Sequence, residues 1–201
     1  MIVNIRGTSG AGKTTVVRWV MDQFDSKVNL MRTGAKVEVV GPRKRPYGYL
    51  LKSNDPAIKD CFLVGHYETA CGGCDTIPSY DAIFALIREA DDAGLNVLFE
   101  GLLLSEDFKR TAPLHEEGRD LLVVAIDLPL DECIESINAR RRLKKPDAEP
   151  VNPGNTTRRF RSVIKKLEKM EDFGITVIRA DRTHAREIAL AALTGDVEAQ
   201  L

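Results

Sequence analysis

The chain has 201 residues, enough for one sizeable hydrophobic core, and 43% hydrophobic with 29% charged residues is the balance of an ordinary globular protein. A formal net charge of −1 leaves no global field to draw it to nucleic acid. No apolar run approaches the ~20 residues that span a bilayer, and the N-terminus reads as a strand rather than a signal peptide, so a cytoplasmic location is the expectation.

Short apolar runs alternate with helical periodicity, the pattern of an α/β protein with a mostly parallel sheet. Ile2 to Ile5 reads as the first strand. A helix is predicted over Lys13 to Lys27, with Val17, Val20, Met21, Phe24 and Val28 at helical spacing. Val37 to Val40 is the next predicted strand, stopped by Gly41-Pro42, and Cys61 to Val64 is a third. A helix from Tyr80 to Ala93 buries Ile83, Leu86, Ile87 and Ala90, with Gly94 placed to end it. Asn96 to Phe99 is a strand ending at Glu100-Gly101, and Leu121 to Ile126, the most hydrophobic run, is a central strand. Helices follow over Leu130 to Leu143 and Thr156 to Phe173, then a strand at Ile175 to Ile178 and a last helix at Thr183 to Leu193. The long loops Pro42 to Asp60 and Ser105 to Arg119 suggest function. The whole reads as one domain over residues 1–201, with a lid insert near residues 143–157.

Gly7-Thr8-Ser9-Gly10-Ala11-Gly12-Lys13-Thr14 fits G-x-x-x-x-G-K-[ST] at every fixed position, after an apolar strand and before an amphipathic helix. Glycines let the backbone wrap phosphate oxygens and turn successive N–H groups inward, and the helix N-terminus adds partial positive charge. Lys13 is then placed to reach the β- and γ-phosphates of ATP, and the Thr14 hydroxyl to ligate Mg²⁺. The fold expected is that of a P-loop NTPase or nucleotide kinase: a parallel sheet flanked by helices, with a small lid. Glu100, at the C-terminal end of its strand, is a candidate to hold the magnesium shell or to accept a proton; the plainer reading is a strand-end acid bound to backbone amides. Asp127 closes the following strand, where helix capping is the competing reading.

Arg140-Arg141-Arg142 ends a helix. Three adjacent arginines cannot all face one way, and Arg141 is taken as the candidate that stabilises charge on a transferring phosphoryl group. From Ile134 to Met170 eleven Lys and Arg stand against four acids, and Arg158, Arg159 and Arg161 open a helix where cations are unfavourable, so phosphates are suited to that segment. Arg43-Lys44-Arg45 with Tyr47 and Tyr49 offers charge and stacking faces for a nucleic-acid strand, or is a solvated loop.

The segment Gly65-His66-Tyr67-Glu68-Thr69-Ala70-Cys71-Gly72-Gly73-Cys74-Asp75-Thr76 is dense in reactive side chains and tight-turn glycines. Cys71 and Cys74 form one C-x-x-C, and with His66 they admit a zinc reading, but the fourth ligand would have to be Cys61, Cys133 or a carboxylate. A glycine-rich loop packed close to a substrate is the preferred reading. Asp75, Glu68, His66 and Glu100 are all candidates for the base that orients an acceptor hydroxyl, with Asp75 preferred for the catalytic set beside Lys13 and Glu100.

The loop GTSGAGKT, the segment GHYETACGGCDT, the strand end LFEG and Asn152-Pro153-Gly154-Asn155-Thr156, spread over residues 2 to 156, together resemble the phage P-loop kinases that phosphorylate 5-hydroxymethyluracil within DNA. The resemblance implies transfer of the ATP γ-phosphate to the base hydroxymethyl group, a step in thymidine hypermodification, with DNA containing 5-hydroxymethyluracil as partner. It assigns no catalytic base. A nucleoside or nucleotide monophosphate kinase is the alternative, and a regulatory P-loop NTPase one of another class. Against a GTPase switch, no N-K-x-D guanine motif is present, and the D-x-x-G match at Asp91 to Gly94 precedes its strand.

Overall fold

In the computed structural model, which describes residues 1–33, 36–39, 46–69 and 72–195, the apolar runs pair side by side into one sheet. Its strands are β1 (Ile2–Arg6), β2 (Ser26–Thr33), β3 (Lys36–Val39), β4 (Gly48–Lys52), β5 (Cys61–Val64), β6 (Asn96–Glu100), β7 (Leu121–Ile126) and β8 (Thr176–Ala180). Their order across the sheet is β3-β2-β4-β5-β6-β1-β7-β8. From β5 to β8 every pairing is parallel, whereas β3, β2 and β4 add an antiparallel wing to the β5 edge.

The parallel strands are hydrophobic on both faces because helices cover both. Successive residues point to opposite sides, so Val97, Phe99, Leu121 and Val123 enter one core and Val3, Ile5, Leu98, Leu122 and Val124 the other. On the first face lie α2 (Tyr80–Asp92), α3 (Ala112–Glu116) and α5 (Pro153–Asp172), which contribute Ile87, Leu114, Leu167 and Met170. On the second lie α1 (Lys13–Met21), α4 (Leu130–Lys144) and α6 (Arg182–Thr194), with Val17, Cys133 and Ala189. Ser79, Asn152 and Asp181 cap α2, α5 and α6 through side-chain oxygens, and Gly94 follows α2 at φ +80°, a conformation only glycine takes cheaply.

Several expectations change. The first helix stops at Met21, and Lys27 and Val28 belong to β2, because Val28 and Asn29 pair with Leu50 and Tyr49 of β4. β4 itself lies inside the stretch expected as a loop from Pro42 to Asp60, of which residues 40–45 are outside the described set. The loop expected from Ser105 to Arg119 contains α3 and the end of a 3-10 turn, Leu104–Glu106. Within the stretch 143–157 expected as an insert, residues 145–152 join α4 to α5, and the Val151 N–H donates to Asn138 Oδ1 at 2.8 Å. Asp127 does not cap α4, whose first turn opens at Pro129 without a side-chain cap.

Arg6 ties the end of β1 to the segment after β6. It is fully buried, and its guanidinium donates to Asn4 Oδ1 at 2.6 Å, the Asp107 carbonyl at 2.8 Å and Thr111 Oγ1 at 2.6 Å. Burial works against its charge and the Asp107 carboxylate in its favour. Replacing Arg6 with methionine leaves these acceptors unsatisfied, and we expect a loss of about 3 kcal/mol in unfolding free energy, read from the urea midpoint. A loss below about 1 kcal/mol would show that water replaces the guanidinium at little cost.

Candidate active site

β1 delivers the chain to the glycine loop at the carboxyl edge of the sheet, and α1 begins at Lys13 inside it. Gly10 and Gly12 have φ of +84° and +97°, so the backbone doubles back in conformations that other residues resist. Space is short there as well: a Cβ on Gly10 would stand 2.2 Å from the Cys133 carbonyl oxygen, and one on Gly12 2.8 Å from Arg182 Nε, so that the arginine side chain would have to shift.

Lys13 is 7% exposed, and its ammonium donates to the carbonyls of Gly7 at 2.8 Å and Thr8 at 3.1 Å. Burial lowers its pKa, with Glu100 and Asp75 opposing. The Thr14 hydroxyl donates to Glu100 Oε1 at 2.8 Å, although the two residues are 86 apart in sequence. Glu100 is 2% exposed. Burial pushes its carboxyl up to about 6; Lys13 and the Thr14 hydroxyl pull it down, and Asp75 adds repulsion. Gly73 packs directly on this carboxylate, since a Cβ there would lie 2.6 Å from Glu100 Oε1. Within the glycine-rich segment it is thus Gly73 that packs closely on Glu100.

A cavity of about 350 Å³ opens above these groups. Ser9, Gly10, Gly12, Lys13 and Thr14 form its floor, with Glu100. One flank carries Arg18, Gly72, Asp75 and Leu102, the other Ser136, Arg140 and Arg182. Asp75 sits exposed in a 3-10 turn, and its Oδ2 accepts the Leu102 N–H at 2.8 Å.

Of the candidate site residues, the cavity thus gathers Ser9, Gly10, Gly12, Lys13, Thr14, Glu100 and Asp75, whereas Gly7, Thr8 and Ala11 are not in its lining. It does not include Arg141, which is exposed on α4; one position earlier, a turn of 100° on the helix brings Arg140 to the wall instead. Glu68 is also elsewhere, accepting from Lys27 at 3.2 Å and the Tyr49 hydroxyl at 3.3 Å, and His66 is buried in a bridge with Gly73. Cys61, Cys74 and Cys133 are buried free thiols, while Cys71 and the cluster Arg43-Lys44-Arg45 lie outside the described residues. Among the described residues no group of three or more His, Cys, Asp or Glu could hold a metal ion. Nor is any described helix long and apolar enough to cross a membrane.

Two arginines escaped the sequence reading. Arg182 donates through Nε to the Ala11 carbonyl at 2.9 Å and through Nη2 to the Gly10 carbonyl at 3.1 Å and Ser136 Oγ at 3.2 Å, bracing the loop from α6. Arg18 donates through Nε and Nη2 to the Tyr67 carbonyl, at 3.0 and 2.7 Å, and also to the Thr69 carbonyl. A sequence cue existed for Arg182: a cation directly after the cap Asp181, at a helix N-terminus, contradicts the helix dipole and calls for a partner.

Chemically, the floor offers a glycine loop at a helix N-terminus with a buried ammonium, which suit phosphate oxygens. The hydroxyl and carboxylate of Thr14 and Glu100 form an oxygen-only donor pair of the kind that suits Mg²⁺. An α/β fold with a mostly parallel sheet, a glycine loop between strand and helix and a facing strand-end acid is compatible with the P-loop kinase class. No protein-family model matches the chain. Over 184 residues it is 43% identical to the protein named 5-hmdU DNA kinase of Pseudomonas phage PaMx11, covering 92% of both chains. It is 29% identical over 202 residues to the like-named protein of Delftia phage PhiW-14, covering 90% of this chain and 68% of that one. A third relative of that name, from Pseudomonas phage M6, is 23% identical over 183 residues. The chain belongs to the 5-hmdU DNA kinase family.

The raised Glu100 pKa has a consequence for stability. An acid whose folded value exceeds its unfolded one stabilises the fold while protonated, so this contribution is complete below pH 4.5 and is lost as pH rises through about 6. The loss amounts to about 2 kcal/mol. Glu100→Gln, neutral throughout, should therefore gain on the ligand-free wild type by about that amount between acid and neutral pH in urea unfolding. A difference that does not change with pH would show that Glu100 titrates as an ordinary carboxylate.

Proposed function

We propose that the protein is an ATP-dependent, magnesium-requiring kinase that transfers the γ-phosphate to the hydroxymethyl group of 5-hydroxymethyluracil in DNA. The observation that carries this reading is the Thr14–Glu100 hydrogen bond, which joins the loop and the neighbouring strand end beside Lys13. The name shared by relatives up to 43% identical supplies the acceptor. In this reading the loop amides hold the β- and γ-phosphates, and Lys13 exchanges its carbonyl partners for phosphate oxygens. A magnesium ion at Thr14 and Glu100 would neutralise charge between the two phosphates. Arg140, on the cavity wall, takes the role of stabilising charge on the transferring group that the sequence reading gave to Arg141. Phosphorylation turns a poor leaving group into a good one, so the product suits a later substitution at the same carbon, as a step in thymidine hypermodification requires.

Radiolabelled γ-phosphate offered to 5-hydroxymethyluracil DNA, thymine DNA and free nucleosides or monophosphates tests the proposal. Label should appear in the first alone, because the thymine methyl carries no nucleophile. Label on free nucleotides and never on the modified DNA would make the protein a nucleotide kinase instead. Lys13→Met should cut transfer by about 10²–10³-fold. Because Lys13 also satisfies two buried carbonyls, its melting temperature is measured alongside; near wild-type turnover in a folded variant overturns the phosphate role of the loop.

A further inference from the structure

A second cavity, about 460 Å³ in volume, adjoins the first, and Asp75 and Leu102 belong to the walls of both. Its other walls are apolar or aromatic: Ile77, Pro78, Tyr80 and Ile83 lead into α2, and Leu103 and Leu104 come from the turn after β6. The chemistry that fits is a ring whose faces meet apolar walls and whose substituent carries a polar group directed at Asp75. Its size lies within the range of about 300–1,000 Å³ usual for small-molecule sites.

Leu103 is 48% exposed, an unusual position for a large aliphatic side chain, and it stands at the rim of this cavity. Its turn is latched to Asp75 through the Leu102 N–H. Two arginines stand beside residues that line or follow this cavity, each paired with acids. The Arg110 guanidinium stacks 4.8 Å from the Tyr80 ring centre, with Asp81 and Asp107 beside it, and Arg159 reaches Glu106 at 3.8 Å. Arg158 and Lys109 are exposed nearby in sequence.

We propose that this second cavity is the acceptor subsite, receiving the hydroxymethyl-bearing pyrimidine after it has left the DNA stack, with Leu103 filling the gap and Asp75 accepting the hydroxyl proton. The proposal rests on the kinase reading above. Its geometric basis is continuity: the shared wall puts Asp75 between the acceptor cavity and the floor formed by Lys13, Thr14 and Glu100. The hydroxymethyl oxygen forms a bond to the γ-phosphorus while the bond to the β–γ bridging oxygen breaks, and ADP leaves with that electron pair. The hydroxyl proton passes to the Asp75 carboxylate and, since Asp75 is exposed, on to water. Glu100 suits this role less, being buried and already hydrogen-bonded to Thr14. Arg110 and Arg159 would then meet phosphates flanking the extruded base.

The test compares wild type, Leu103→Ala and Asp75→Asn on the modified base in duplex and in single-stranded DNA, with ATP affinity and melting temperature measured for each. Extrusion from a duplex must break stacking that a single strand largely lacks, so Leu103→Ala should lose about tenfold or more on duplex and little on single strand, with unchanged melting. Asp75→Asn should lose roughly 10²-fold or more on both while binding ATP normally. Equal losses of Leu103→Ala on the two substrates, or lost ATP affinity in either variant, would overturn the subsite, the latter marking the cavity as part of the nucleotide site. A 2-aminopurine beside the modified base should brighten when the wild type binds duplex and less so with Leu103→Ala. If the wild type phosphorylates neither DNA, the kinase reading fails, and this fluorescence decides the subsite alone: no Leu103-dependent rise overturns it.

Discussion

Parallel pairing of β1 with β6 puts Ile5 opposite Glu100, and pairing with β7 puts Arg6 opposite Ala125. The glycine loop begins one residue after Arg6, so this register is what brings Glu100 to the loop at all. In an antiparallel arrangement the strand end bearing the acid would lie at the far edge of the sheet. A slip of one residue would turn its side chain to the opposite face. The Thr14–Glu100 contact follows from the register, and so does the crowding of Gly73 onto the same carboxylate. Arg6 secures the arrangement from below by holding residues 105–111 against the end of β1.

Lys13 and Glu100 are each driven by burial toward the neutral form, the lysine downward and the acid upward, while their mutual attraction works the other way. Such a pair is poised, because desolvation has already been met by folding rather than at the moment of binding. Phosphate oxygens would favour the charged ammonium, and a divalent cation the charged carboxylate. The floor of the cavity is therefore better matched to an anion together with a cation than to either one alone.

The glycine loop was legible in the sequence because its constraint is local: spacing, glycine content and the flanking strand and helix are all read along the chain. Glu100 was legible for a related reason, as the last residue of an apolar run. β2 was not. Val28 continues the helical spacing of Val17, Val20 and Met21, and only its partner across the sheet, Leu50, about twenty residues later, decides that it is extended. The same holds for Arg140 against Arg141, where the sequence offers three equal candidates and only the packing of α4 separates them. Glu68 and His66 were plausible by composition, yet Tyr49 and Lys27 of the antiparallel wing claim the former, and the bridge to Gly73 buries the latter.

The wing also explains how the two flanks of the cavity stay in register with each other. The Tyr49 hydroxyl on β4 accepts the Tyr67 N–H at 3.0 Å, fixing the start of the segment that carries Asp75. Arg18, one and a half turns along α1 from Lys13, holds the Tyr67 and Thr69 carbonyls of that same segment. The helix whose first turn closes the glycine loop thus also grips the loop bearing Asp75. A shift of α1 on filling the glycine loop would move Arg18 and, with it, the approach to Asp75. On the opposite flank Arg182 binds the Gly10 and Ala11 carbonyls from α6, so that side is braced by a helix on the same face of the sheet as α1. One helix therefore carries both Lys13, on the floor of the first cavity, and Arg18, which holds the start of the segment leading to Asp75, a residue common to the two cavities.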